Sequence, residues 1–210
     1  LNVREQAYGY GVICDDEFWL TPHTGKILVR LNIESGSIIE MPWPYDTLEY
    51  RGMCVWDNKI WFSPGTNAKG ILGFDIQKGN FQQVDLGELY NLNDSYNECI
   101  PCEDGIVFLP YESNYILYMN KDGDNYSVRY TKRTERFYAL RRIGISSKIL
   151  VVEENSNLIY EINSTGSIDQ VCKADISALE KSKIMCFDQH NEIIIEGKYG
   201  LDDYVKYVIA

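Results

Sequence analysis

The strongest constraint in this sequence is a repeat. The segment VICDDEFWLTPHTGKILVRLNIESGSIIEMP, from Val12, matches in kind the segment MCVWDNKIWFSPGTNAKGILGFDIQKGNFQQVDL, from Met53. Each has an apolar run, a polar turn, an aromatic run reaching a Pro and a second polar turn. An apolar run, an Asn/Asp-to-Gly turn and a final alternating run follow. Three further copies begin at Ile100, Ile143 and Met185. Phe18, Ile60, Ile106, Ile149 and Ile193 mark the same place in each, at separations of 42, 46, 43 and 44 residues. A fixed period of this length decides architecture before local propensity does.

The apolar residues run in blocks of four to six, rich in Ile, Val, Tyr and Phe, so each copy reads as four short strands rather than helices. The turns agree. Asp16, Asn58, Asp104-Gly105, Ser147 and Asn191 separate the first two strands. Stretches 32–36, 75–79, 120–123 and 163–166 separate the third and fourth, each starting with Asn or Asp and ending in Gly. Such residues take positive φ or bond their own backbone. Four-stranded units at a period in the forties predict an all-β protein, a β-propeller of antiparallel blades forming one domain over 1–210. The fifth copy stops after its third strand, and LNVREQA at the start alternates like a fourth. Leu1 to Gln6 are therefore expected to complete the last of five blades. A fragment of a six- or seven-bladed ring is the other reading.

The run KIWFSPGTNAKGILGFDIQKG (59–79), with its polar turn, aromatic strand and Ile-x-x-Phe-Asp before a Gly turn, resembles propeller repeats of the NHL and YVTN kind. The resemblance covers nearly the whole chain and implies the fold, not a function. Kelch repeats differ, because no inner strand here carries a Gly-Gly pair. Tryptophan–aspartate repeats differ too, since Trp56-Asp57 precedes a hairpin turn.

Apolar residues make up 45% and charged residues 24%, so a substantial core is expected. A net charge of −11 argues against nucleic acid and anionic membrane surfaces as partners. No run of about 18 apolar residues calls for a membrane span. Cys14, Cys54, Cys99, Cys102 and Cys186 fall in expected innermost strands and read as buried thiols. Unpaired thiols favour a reducing compartment; secretion after loss of a leader stays open.

Ligands of such rings sit at the channel mouth formed by the loops entering each first strand and those joining the second and third. The entering loops are long: 41–50, 85–96, 131–138 and 172–183, the last expected to hold a short helix. Tyr8, Tyr50 and Tyr96 each stand eight residues before a turn residue, and Tyr138 nine before Ser147. With Trp43 they predict either an aromatic rim for a protein segment or a glycan, or packing between blades. Glu98, Arg51 and Arg141 lie near the same entrances, where an ion pair or an anion-binding arginine is expected. A propeller glycosidase or lyase needs two close carboxylates. Glu98 is one; no inner strand offers a second, so an entrance-loop acid such as Asp46 or Asp94 would have to supply it. Asp15, Asp57, Glu103 and Asp188 read as turn residues at the other end. His23 and His190 fall in turns of different blades. The sequence calls for no cofactor and no metal. A non-catalytic recognition module is the leading reading, a glycosidase or lyase the alternative, and a scaffold within a larger protein the third.

Overall fold

The computed structural model describes residues 8–22, 26–45, 49–138, 140–142, 149–153, 158–163 and 167–173. Among them every regular element is a strand. By internal contacts the chain divides into two units, one of residues 1–140 and 164–167, the other of 141–163 and 168–210.

The first unit holds three antiparallel sheets. The first comprises β1 (Tyr8–Cys14), β2 (Glu17–Pro22), β3 (Ile27–Asn32) and β4 (Ile38–Pro42), paired in chain order. The second repeats that order with β5 (Tyr50–Trp56), β6 (Lys59–Pro64), β7 (Ile71–Asp75) and β8 (Asn80–Val84). The third has β9 (Ser95–Pro101), β10 (Gly105–Asp122) and β11 (Asn125–Tyr138). β10 is a single extended element of 18 residues, yet it doubles back. A Cβ at Gly105 would run into the carbonyl oxygen of Met119, which a straight strand would carry about 46 Å away. Its first arm pairs with β9 and its second with β11, so this sheet too has four rows. The bend falls around Tyr111, just after Pro110, where the repeat expects its second polar turn.

A further four-stranded sheet, in the second unit but for Leu140, has β12 (Leu140–Arg142), β13 (Ile149–Glu153), β14 (Leu158–Ile162) and β15 (Ile168–Lys173). The expected fifth copy, the helix expected within 172–183, the strand over 1–6 and both histidines lie outside the described residues. So do Asp46 and Cys186.

Hairpin chemistry sets the registers. Asp57 and Asn58, with φ of 52° and 54°, form the two-residue turn between Trp56 and Lys59. Two positive φ values match the right-handed twist of the flanking strands, and Asn and Asp tolerate them best. The turns after β3 and β7 use one device. Asn32 and Asp75 accept backbone N–H groups through their side chains, and Gly36 and Gly79 close the turn at φ 67°.

Alternation then divides the side chains of the second sheet between two cores. Ile60, Phe62, Leu72 and Phe74 join Trp19, Leu28 and Trp43 on the side of the first sheet. Cys54, Trp61, Ile71 and Val84 join Tyr96, Ile106, Phe108, Leu117 and Met119 on the side of the third. First strands lie side by side, β1 against β5 and β5 against β9. At Gly52 the approach is so close that a Cβ would strike the Asn97 carbonyl.

Two expectations need correction. Residues 131–138 are not an entrance loop. β11 runs through them, because Phe137 and Tyr138 pair with Ser113 and Glu112 at the bend of β10. Tyr138 therefore ends an outer strand instead of opening an inner one. Cys102 lies one residue past β9, where its N–H bonds the Gly105 carbonyl. Cys14, Cys54, Cys99 and Cys102 are free thiols, and of these Cys54 is buried.

Candidate functional site

A recurrent irregularity marks the start of each first strand in the first unit. In β1, Tyr8 pairs with Pro22 and Tyr10 with Thr21, leaving Gly9 as an extra residue. In β5, Tyr50 pairs with Pro64 and Met53 with Phe62, so Arg51 and Gly52 oppose one residue, Ser63. In β9, Tyr96 pairs with Pro110 and Glu98 with Leu109, leaving Asn97 extra. Each is a bulge directly after the repeated tyrosine. A bulge breaks strict alternation and re-aims the side chains around it. Tyr50 and Met53, three apart, consequently share one core, and Tyr96 and Cys99 share the other.

Tyr50 and Tyr96 face the preceding sheet. Tyr50 is 2% exposed and Tyr96 is 0%. The Tyr50 hydroxyl accepts a hydrogen bond from Gln83 Nε2 at 2.9 Å, and the Tyr96 hydroxyl pairs with Ser113 Oγ at 3.2 Å. Burial drives both hydroxyls well above their ordinary pKa, against partial relief from Gln83 and Ser113. Trp43 is buried too, its ring meeting Tyr45, Tyr50, Phe62 and Phe81 edge-on.

The bulge residues lie on neighbouring strands and meet. Arg51 Nη1 donates to Asn97 Oδ1 at 3.1 Å, and the Arg51 guanidinium carbon stands 5.0 Å from the centre of the Tyr111 ring. Asn97 is buried and Arg51 half-buried, while Tyr111 keeps 38% of its surface exposed. Among the described residues no carboxylate lies within ion-pair reach of Arg51.

Buried polar groups gather at this same end. Thr21, Ser63, Asp94, Ser95, Asn97 and Ser113 all sit at entrance ends of strands or in the bend of β10. The loop before β9 is braced onto the loop after β6. Tyr90 donates its hydroxyl to the carbonyls of Gly65, at 2.8 Å, and Asp94, at 3.2 Å. Burial, reinforced by the Asp94 carboxylate, pushes the Tyr90 hydroxyl up to about 12. The Asn67 N–H bonds the Leu92 carbonyl, and the Gly65 N–H bonds that of Glu49. Leu89 and Leu92 stand 56% and 58% exposed on this loop.

The remaining expected residues fall as follows. Glu98 is half-buried within β9. Asp94 is buried, and its carboxylate accepts the Asn91 N–H of its own loop at 3.3 Å. Tyr8 opens β1 and Arg141 lies in β12; their side chains are outside the described residues. Asn97 was missed from the sequence. Its signal is its place directly after a repeated tyrosine.

The opposite end of the same strands carries a second cluster. Lys121 Nζ donates to both Asp57 oxygens at 2.8 and 2.7 Å, and the Tyr126 hydroxyl donates to Oδ2 at 2.8 Å. Lys59 Nζ donates to the Tyr126 hydroxyl at 3.0 Å. Burial works to raise the Asp57 pKa, but the bonds from Lys121 and Tyr126 outweigh it and hold the carboxyl below its usual range. Asp57 is thus more than the turn residue expected, since it ties the second sheet to the third. An open groove of about 390 Å³, lined by Trp56, Asp57, Glu103, Asp104, Lys121 and Gly123, lies beside it.

No family model and no curated protein matches this chain. Solved structures do. A streptogramin B lyase superposes at a TM-score of 0.66 and 19% identity, covering 81% of this chain and 56% of that one. The virginiamycin B lyase of Staphylococcus aureus gives 0.62 and 19%, over 79% and 55%. An auxiliary nutrient binding protein of Bacteroides ovatus gives 0.60 and 8%, over 79% and 47%. The fold is of the propeller type. The chain spans a little over half the length of those lyases. At such identities the likeness carries the propeller fold and not the chemistry of either lyase.

Proposed function

We propose that this propeller-type chain is a non-catalytic recognition module that holds a protein segment or a glycan at the entrance end of its first strands. The observation that carries this reading is Arg51. It is fixed by Asn97 and Tyr111, flanked by buried polar groups, and answered by no carboxylate among the described residues. Convergent polar groups beside exposed apolar ones are what a binding surface needs. In the proposal the buried Tyr50 and Tyr96 form the wall behind the site, while Arg51 and Tyr111 touch the ligand. Tyr8, Trp43, Glu98 and Tyr138 complete the proposed surroundings. The lyase reading has weaker support, because Asp94, one of the acids proposed beside Glu98, is buried and bonded within its own loop.

Peptide and glycan arrays probed with the chain and with Arg51→Gln test the proposal. Binding that the substitution abolishes supports it. Silence of both arrays at high micromolar concentration counts against it.

We further infer one domain of five blades over 1–210, with residues 1–6 pairing along the last repeat. Amides of 1–6 should then share hydrogen-exchange protection with 185–210. Full exchange of 1–6 within seconds sinks that reading.

A further inference from the structure

We propose that the group received at this entrance is a carboxylate on a peptide, presented beside aliphatic side chains. The inference rests on the recognition reading above and names its ligand class.

The first argument is a cation with no acid paired to it among the described residues. The chain has 31 acidic and 20 basic residues, so carboxylates are plentiful. Several cations take them: Arg30 pairs with Glu17, Lys121 and Lys59 with Asp57, and Lys78 with Asp75. Arg51 pairs with none among the described residues. A guanidinium has five N–H donors in a planar fork that matches a carboxylate. Among the described residues, only one direction, Nη1 to Asn97 Oδ1, is taken.

The second argument is pre-organisation. Arg51 and Asn97 are both bulge residues, re-aimed on adjacent strands that touch at Gly52. Asn97 holds one edge of the guanidinium and Tyr111 supports its face. Fixing the fork before a ligand arrives removes much of the ordering cost of binding.

The third argument separates a peptide from a sugar. A pyranose stacks its C–H face on an open flat ring. Here Trp43, Tyr50, Phe62 and Tyr96 are consumed by the cores, and one face of Tyr111 is occupied by Arg51. The apolar groups left open on the neighbouring loop are the branched side chains of Leu89 and Leu92. Hydrogen bonds through Asn67 and Gly65 tie that loop to Glu49, two residues before Arg51. Branched aliphatic surface favours aliphatic partners.

The test uses the full chain against arrayed 12-residue peptides, N-acetylated, each made with a free and an amidated C-terminus. Binders should contain Asp or Glu, or require the free C-terminus, next to Leu, Ile or Val. The two arms distinguish a side-chain from a terminal carboxylate. Replacing that Glu by Gln, or blocking that terminus, should weaken binding about tenfold or more, and Arg51→Gln should do the same. Combined, the two changes should cost little more than either alone. Arg51→Lys, which keeps the charge but loses the fork, should also lose most binding, and it serves if Arg51→Gln unfolds. Peptides bound without any acidic requirement, or equally well by both variants, overturn the inference and leave the recognition reading standing. Uronic-acid or sulfated glycans bound while peptides are ignored also overturn it. Silence of every array removes both readings together.

Discussion

The two ends of β5 are about 20 Å apart and solve opposite problems. Both lie where the second sheet meets the third, and both place a cation beside an aromatic ring. At the turn end Lys59 stands against Tyr126, with Asp57 accepting from Lys121 and Tyr126. There the network satisfies itself and joins residues 64 and 69 positions apart. At the entrance end Arg51 stands against Tyr111, with Asn97 in the acid's place. An amide oxygen orients a guanidinium without neutralising it. The difference teaches how one seam treats charge in two ways, the second of which the proposal above assigns to a ligand. A charge that is matched contributes to cohesion, and a charge that is only positioned is available to a ligand.

The comparison can be broken first at the aromatic wall. Tyr96→Ala and Tyr50→Ala each remove a fully buried ring, and each should destabilise the chain by about 3–5 kcal/mol in chemical denaturation. A change below 1 kcal/mol would mean that these rings are not the wall behind Arg51. Next in size, Gly52→Ala forces a methyl into the Asn97 carbonyl. It should cost about 1–3 kcal/mol and weaken any binding that Arg51 supports, because the two bulges move apart.

Asp57→Asn sharpens the contrast. Asn keeps the left-handed backbone of the turn, so the loss reports the ion network alone. It should cost about 1–2 kcal/mol near pH 7, kept modest by the partial exposure of Lys121. The Asp57 pKa is lowered in the fold. Its contribution is therefore full above the unfolded value of about 3.8 and fades as pH falls through the lower folded value. Melting curves of wild type and Asp57→Asn should converge in that acid range. A gap that persists at pH 2 would assign the effect to the turn rather than the charge. The smallest effect belongs to the entrance. Arg51→Gln should cost no more than about 1 kcal/mol, the worth of its one hydrogen bond, while removing binding. A loss matching that of Asp57→Asn would make Arg51 structural after all.

Much of the fold was legible because it follows from periods of two and forty-four. The hairpin residues Asp57-Asn58, Asn32 to Gly36 and Asp75 to Gly79 stood out because few side chains suit those turns. The bend of β10 near Tyr111 follows the repeat too, since it falls just after Pro110, where the first two copies place their second polar turn after a Pro. The run 131–138 misled, since its polar residues looked like a loop. The outer strand is extended there because the bend of β10 offers Glu112 and Ser113 as partners, which no local pattern announces. The tyrosine repeat was visible, but whether the rings face solvent or core was not. A single bulge decides that, and a bulge is a property of two paired strands.

The sequence by itself determined the strand count per repeat, the turn positions and the apolar alternation, all local consequences of residue type and spacing. Only the tertiary structure decided that Tyr50 and Tyr96 are buried, that Asp57 answers Lys121, and that Arg51 meets Asn97 across 46 residues of chain. Those outcomes depend on which faces two sheets turn toward each other. Charge and hydrogen-bond partners become fixed only when that packing is complete.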